Sequence, residues 1–69
     1  MTEINKEVGR CIRLYRQKKG WTQEELAFEA DLHRAYVGQI ERAEKTIGIK
    51  NLQKIARTLN VKMSQLLGE

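Results

Sequence analysis

The feature that most constrains this chain is a very short gap between two helical segments, within residues 22–41. The first segment starts with Thr22 and, three residues later, Glu25, which is the capping-box pattern that begins a helix. A second apolar pattern at helical spacing follows almost at once. Only Asp31 and its neighbours separate the two, so no flexible loop fits between them. We therefore predict two short helices that meet at a rigid corner.

The rest of the chain also carries apolar residues at helical rather than alternating spacing. The stripe of the first helix consists of Ile4, Val8, Cys11, Ile12 and Tyr15. We expect the corner helices at 23–30 and 34–43, and further helices at 50–59 and 63–67, with Ile49 on the inward stripe of the fourth. A chain of this length supports one core, so the prediction is an all-α, compact five-helix fold in a single domain, 1–69.

Composition narrows the partners and the compartment. Thirteen Lys and Arg against nine Asp and Glu give a net charge of +4, which is compatible with an anionic partner. One Cys and one His exclude an internal disulfide and predict neither a metal site nor a cofactor. The single Cys suits a reducing cytoplasm, and no apolar run approaches the roughly 18 residues of a membrane span. We expect a soluble intracellular protein with no membrane partner.

Two helices at a rigid corner, with the second on the surface, define the helix-turn-helix arrangement. The major groove of B-form DNA is about 12 Å wide and admits an α-helix, while the preceding helix crosses the phosphate backbone. This geometry predicts double-stranded DNA as the partner. The outward positions of the second corner helix are Arg34, Ala35, Gly38, Gln39 and Arg42.

These residues also carry a family resemblance that covers nearly the whole chain. The segment TQEELAFEADLHRAYVGQIER, followed by NLQKIARTLNV, resembles the phage-repressor type of helix-turn-helix domain, also called the Cro/C1 or xenobiotic-response-element family. Within it, LHRAYVGQIER before a polar loop and an Ile-rich helix is most similar to the controller proteins of restriction–modification systems. The resemblance implies a lambda-repressor-like fold and a transcriptional regulator without chemistry of its own.

The resemblance also implies a set of DNA-binding residues. Gln23 matches a glutamine that bonds to the DNA backbone and to the residue that reads bases. Arg34 is expected to read guanine through two donors to O6 and N7, which contributes about 1 to 3 kcal/mol of discrimination. For His33, at the start of the third helix, we expect a cap or a phosphate contact. The full expected set is Gln23, His33, Arg34, Ala35, Tyr36, Gln39, Arg42, Lys45 and Lys50.

Three positions depart from the family pattern. Asp31 replaces the usual turn glycine and must adopt a positive φ, which Asp tolerates better than most residues. Ala35 replaces a hydroxyl residue, which leaves a methyl group that can touch only thymine. Gly38 replaces a serine and weakens a helix interior by about 1 kcal/mol relative to Ala. Either a close approach of the backbone to DNA or neutral drift explains Gly38.

Other residues are assigned to structure and assembly. Arg16 and Glu41 match a pair that forms a partly buried salt bridge between the first and third helices in phage repressors. The apolar C-terminal set exceeds what a short fifth helix needs, and the resemblance implies a twofold interface there. That interface would place two recognition helices about 34 Å apart on a pseudo-palindromic operator, and such dimers can pair on adjacent sites. The expected interface residues of the homodimer are Leu59, Val61, Met63, Leu66 and Leu67.

Several functions stay open at this point. The regulator could repress by covering a promoter or activate by touching RNA polymerase. It could instead be an antitoxin or a phage-type repressor of a small operon. From a different class, the same fold could be a protein-interaction module that binds no DNA. An enzyme is the remote option, because the sequence has no paired carboxylates, no phosphate-cradling Gly loop and no nucleophile with a base.

Overall fold

The computed structural model describes residues 3–68, and five helices account for most of them. Their bounds are α1 Glu3–Lys18, α2 Gln23–Ala30, α3 Arg34–Glu41, α4 Ile49–Leu59 and α5 Met63–Leu66. The all-α, five-helix prediction is confirmed. The predicted domain 1–69 includes residues 1, 2 and 69, which lie outside the described residues.

The start of α2 has the predicted capping box. The Glu25 N–H donates to Thr22 Oγ1 at 3.1 Å, and the Thr22 N–H donates to Glu25 Oε1 at 2.8 Å. Two backbone donors that would otherwise lack partners at this helix end are therefore bonded within the box. The beginning of α2 is fixed by its own sequence.

The corner between α2 and α3 is closed by backbone geometry and a second cap. Asp31 takes the left-handed conformation, with φ 58° and ψ 48°, as predicted. Its N–H donates to Phe28 O at 3.2 Å, and the next N–H donates to Ala27 O at 2.8 Å. His33 is the N-cap of α3, where Nδ1 accepts the Ala35 N–H at 3.3 Å. The corner is thus bonded on both sides, which accounts for its rigidity.

The structure departs from the sequence predictions at several helix limits and at two positions of the apolar stripes. The third helix ends at Glu41 rather than at 43, because Ala43 has a positive φ of 61° that a helix cannot continue through. Ile4 and Ile49 were expected on inward stripes, but they are 60% and 75% exposed. Both lie in the first turn of a helix, at positions that the core does not cover. The spacing of apolar residues does not show where the core stops.

The core lies where all five helices meet. Its most completely buried large side chains are Ile12, Leu26, Val37, Ile40, Ile55 and Leu66. The short helix α5 packs against α1 and α4 and closes one end. Because α3 buries only one side against this core, its opposite side stays at the surface.

A glycine that the sequence patterns did not mark sets the distance between α1 and α3. A methyl group added to Gly9 would lie 2.6 Å from Ile40 O and 2.7 Å from Glu41 O. Real side chains essentially never come so close to backbone, so α1 and the last turn of α3 touch through their main chains. Gly9 therefore holds the C-terminal end of α3 against α1.

The expected dimer residues divide into two groups. Leu66 is 0% exposed, and Leu59 is also buried in the core of the protomer, so neither side chain offers surface to a second copy. The protomer core accounts for both residues without a second copy. Val61 and Met63 are partly buried at the core edge, and Leu67 is exposed.

Candidate nucleic-acid interface

The inner side of α3 carries a buried carboxylate that is bound from two other helices. Glu41 is 5% exposed. Arg16 of α1 donates to it through Nε at 2.7 Å and through Nη2 at 3.0 Å, so the expected Arg16–Glu41 pair is present. Arg16 Nη1 also donates to Trp21 O at 2.8 Å. A bidentate pair of this kind is among the stronger hydrogen-bonded ion pairs in proteins.

The second partner of this carboxylate comes from α2. Gln23 Nε2 donates to Glu41 Oε1 at 3.0 Å. The resemblance implied that Gln23 bonds to the residue that reads bases, whereas here its amide binds the buried acid. One carboxylate therefore joins α1, α2 and α3, and it fixes the angle at which α3 stands on the domain.

The outer side of α3 carries the predicted reading residues. Arg34 and Ala35 are exposed in its first turn, with the Arg34 side chain 70% exposed, and Gln39 is half-buried one turn later. The outward residues of α3 and the first residue of α2 surround one shallow depression. Its lining is Gln23, Arg34, Ala35, Gly38, Gln39 and Arg42.

Two arginines of this surface are paired with exposed carboxylates. Arg34 Nη1 lies 3.5 Å from Glu24 Oε2. Arg42 Nε lies 2.9 Å from Glu44 Oε2, and Arg42 Nη2 lies 3.2 Å from Glu44 Oε1. The hydrogen bond from Arg42 holds the pKa of Glu44 below its ordinary value. Ion pairs in solvent are weak, so a phosphate can take the place of either carboxylate.

The remaining predicted contacts flank α3 on the side of α4. Lys45 is exposed in the loop after α3, and Lys50 is exposed in the first turn of α4. Lys45 Nζ lies 5.9 Å from the centre of the Tyr36 ring. Tyr36 Oη accepts a hydrogen bond from Asn51 Nδ2 at 3.0 Å, a contact that the sequence did not predict. Tyr36 thus ties α3 to α4, and no local sequence signal marks its partner.

The outward face of α2 has the opposite charge. It carries the exposed acids Glu24, Glu25 and Glu29, with Asp31 at the end of the helix. Phe28 stands among them and is 81% exposed. Phosphate is repelled by such a surface, so it forms a border of the candidate interface rather than a part of it.

Within residues 3–68, no group of three His, Cys, Asp or Glu side chains is placed to hold a metal ion. No helix in the same stretch is long and apolar enough to cross a membrane.

Comparisons with known proteins agree with this geometry. A family model described as helix-turn-helix matches residues 12–66. Control protein C.BamHI from Bacillus amyloliquefaciens is 45% identical over 58 residues, which cover 84% of this chain and 69% of that protein. A hypothetical transcription factor from Neisseria meningitidis is 46% identical over 56 residues, or 81% of this chain. The match spans 53% of the length of that relative.

A solved structure extends the likeness to the whole fold. The restriction–modification controller protein C.AhdI from Aeromonas hydrophila matches with a TM-score of 0.86 and 35% identity. The match covers 90% of this chain and 94% of that chain. From the family match, the identities and the shared fold, we conclude that the chain belongs to the helix-turn-helix family of the Cro/C1 type and is a homologue of restriction–modification control proteins.

Proposed function

We propose that this protein is a sequence-specific DNA-binding transcription regulator, and that it controls a restriction–modification system. The observation that carries the proposal is the exposed outer side of α3, where Arg34 is 70% exposed on a helix whose inner side is fixed by Glu41. The likeness to C.BamHI and C.AhdI, which are named as control proteins, supports the controller role. Binding to DNA implies a cytoplasmic location.

The proposed mode of binding follows from the direction of α3. The N-terminal residues of a recognition helix reach base edges, while the preceding helix crosses the backbone. Arg34, with Ala35 and Gln39, is therefore assigned to the bases. Gln23, Arg42, Lys45 and Lys50 lie at the borders of the depression or on neighbouring elements and are assigned to phosphates. His33 caps the start of α3 and borders the phosphates there, and Tyr36, which is bonded to Asn51 of α4, is assigned to the DNA backbone or bases.

The test of this assignment compares two substitutions on an operator selected from a random pool of duplexes. Arg34→Ala should relax base preference at one operator position, with a loss of about 1 to 3 kcal/mol at that position. Lys50→Ala should weaken binding to all sequences and lower the salt slope by about one. Identical behaviour of the two variants would contradict the separate roles. Fluorescence anisotropy over a series of salt concentrations measures both.

We propose that the protein acts as a homodimer on a pseudo-palindromic operator. The exposed Leu67 and the partly buried Val61 and Met63 supply apolar surface near the end of the chain. Leu67 is not part of the buried core, so Leu67→Arg should still fold. It should be a monomer with much weaker operator binding. Sedimentation velocity measures the mass of the particle in solution. Lys62→Arg, a nearby substitution that keeps the charge, is the control and should remain a dimer. A dimer that persists in Leu67→Arg would count against this interface.

Regulation by contact with RNA polymerase is supported by the acidic face of α2. Phe28 is 81% exposed among carboxylates that DNA repels, so this face stays available to a protein when α3 is bound. We expect Phe28→Ser to keep operator affinity and to lose activation in transcription with purified polymerase. Repression by promoter occupancy should be unchanged. Equal activation by Phe28→Ser and wild type would exclude Phe28 from the polymerase contact, and an absence of activation by the wild type would leave repression as the function of the bound dimer.

Two alternatives have their own tests. An antitoxin or phage-type repressor would use the same contacts, and the genes next to the coding sequence distinguish it, since a restriction or methylase gene favours the controller. A protein-interaction module would bind no DNA. For a DNA-binding protein, the log of affinity falls against the log of salt concentration with a slope of about −0.9 per neutralised phosphate. A flat response on all duplexes would favour the module.

A further inference from the structure

Gly38 lies on the outward side of α3, yet two long side chains cover it. A methyl group added to Gly38 would lie 3.0 Å from Arg42 Nη1 and 3.3 Å from Gln23 Oε1. Both atoms are the far ends of flexible side chains, so they, rather than the backbone, would have to move. The missing side chain of Gly38 thus leaves a notch that is bordered by the ends of the Arg42 and Gln23 side chains.

The hydrogen bonds of the two side chains orient them across this notch. Arg42 uses Nε and Nη2 for Glu44, at 2.9 and 3.2 Å, and its Nη1 is left on the side of Gly38. Gln23 uses Nε2 for the buried Glu41, at 3.0 Å, which turns its Oε1 toward the same notch. The arginine therefore lies back over Gly38, one turn earlier on α3, on the side where Gln23 of α2 also ends.

The position of the notch indicates which part of DNA Arg42 meets. Arg42 follows the last residue of α3, whereas bases are read by the N-terminal part of such a helix. Gln23 begins α2, the helix that crosses the backbone. A guanidinium held between these elements faces a phosphate, and it can exchange the exposed Glu44 carboxylate for it.

We infer that Gly38 is a positioning residue, whose missing side chain lets Arg42 lie beside Gln23 and contact a DNA backbone phosphate. This inference rests on the proposed DNA-binding function. It replaces both explanations that the sequence left open, close approach of the backbone to DNA and neutral drift, by close packing of Arg42 over Gly38. Alanine here would give a more stable helix, because its helix propensity exceeds that of glycine. The phosphate contact would be poorer, because the added methyl group displaces the end of Arg42.

The test is a double-mutant cycle with Gly38→Val and Arg42→Ala, read as operator affinity over a salt series. Gly38→Val should lose about tenfold in affinity and lower the salt slope by about one, as expected for one charge-assisted contact. Gly38→Ala requires smaller shifts and should lose less, while its thermal midpoint stays equal or rises. In the Arg42→Ala background, Gly38→Val should cause no further loss.

Each other outcome overturns the inference. Additive losses in the cycle would mean that the added side chain meets DNA directly, and an unchanged salt slope would mean that no phosphate contact is involved. Gly48→Ala is the control, since a methyl group there has no atom within 4 Å, and its slope should match the wild type. If the wild-type protein binds no duplex, the proposed DNA-binding function itself fails. If the wild type binds but the variants behave otherwise than expected, only the role of Gly38 fails.

Discussion

The two sides of α3 differ in whether their ion pairs are buried or exposed to solvent. On the inner side, the buried Glu41 is bound by Arg16 and Gln23. On the outer side, the arginines at 34 and 42 are paired with exposed carboxylates. Removing one partner of a buried pair leaves a charge without compensation, while water replaces the partner of an exposed pair. The orientation of α3 thus depends on a buried ion pair whose partners water cannot replace. Its proposed contacts with DNA use arginines whose carboxylate partners a phosphate can replace.

The largest expected effect comes from removing the inner carboxylate. Glu41→Ala leaves the guanidinium of Arg16 nearly buried and without its partner, which should lower the free energy of unfolding by about 3 to 5 kcal/mol. Domains of this size have only about 3 to 10 kcal/mol in total, so the variant should be largely unfolded or close to it. Urea unfolding followed by circular dichroism measures the change.

The matched control for that experiment is Glu44→Ala, three residues further on at an exposed position. It removes the same side chain from an ion pair in solvent, where the unfolding midpoint should move little. Similar unfolding midpoints for Glu41→Ala and Glu44→Ala would show that the buried ion pair contributes no more to stability than the exposed one.

A smaller loss is expected where α1 and α3 touch. Gly9→Ala would favour helix by propensity, but its methyl group would collide with the carbonyl oxygens of Ile40 and Glu41 at 2.6 and 2.7 Å. Overpacking of this kind should lower the free energy of unfolding by about 1 to 3 kcal/mol and should weaken DNA binding by tilting α3. Thermal unfolding and operator binding are the two measurements. A gain in stability would contradict the contact between the two backbones.

The smallest effect is expected on the outer side. Glu24→Gln removes the carboxylate that competes with phosphate for Arg34, so affinity for the operator should rise about two- to fivefold at low salt and less at high salt. Glu29→Gln makes the same charge change elsewhere on α2 and is the control. Equal gains in both variants would point to general charge rather than to the pair with Arg34.

Local features of the fold could be predicted from sequence because their causes are local. The capping box at Thr22 and the left-handed Asp31 depend on a few neighbouring residues, and both are present in the structure. The partners of Gly9 and Gln23 depend on how helices far apart in sequence meet, which no periodicity shows. The burial of Leu66 shows a further limit, since an apolar residue reads the same whether its own core or a second copy covers it.

In the candidate site, too, local features could be predicted from sequence and contacts between helices could not. That Arg34 would face outward followed from helical spacing, because the inward positions of the same helix were apparent. Its pairing with Glu24 and the notch at Gly38 were not apparent, since each needs the relative placement of α2 and α3. The direction of a side chain can be predicted from the periodicity of its own helix. Its partners depend on how that helix packs against a second one.

The caps on both sides of the α2–α3 corner have a consequence for the evolution of this protein. None of their hydrogen bonds involves the side chains of Arg34, Ala35 or Gln39. A library that randomises only those three positions should therefore retain cooperative folding in most members while its target sequences diverge. Such a scaffold can acquire a new operator without first losing its shape.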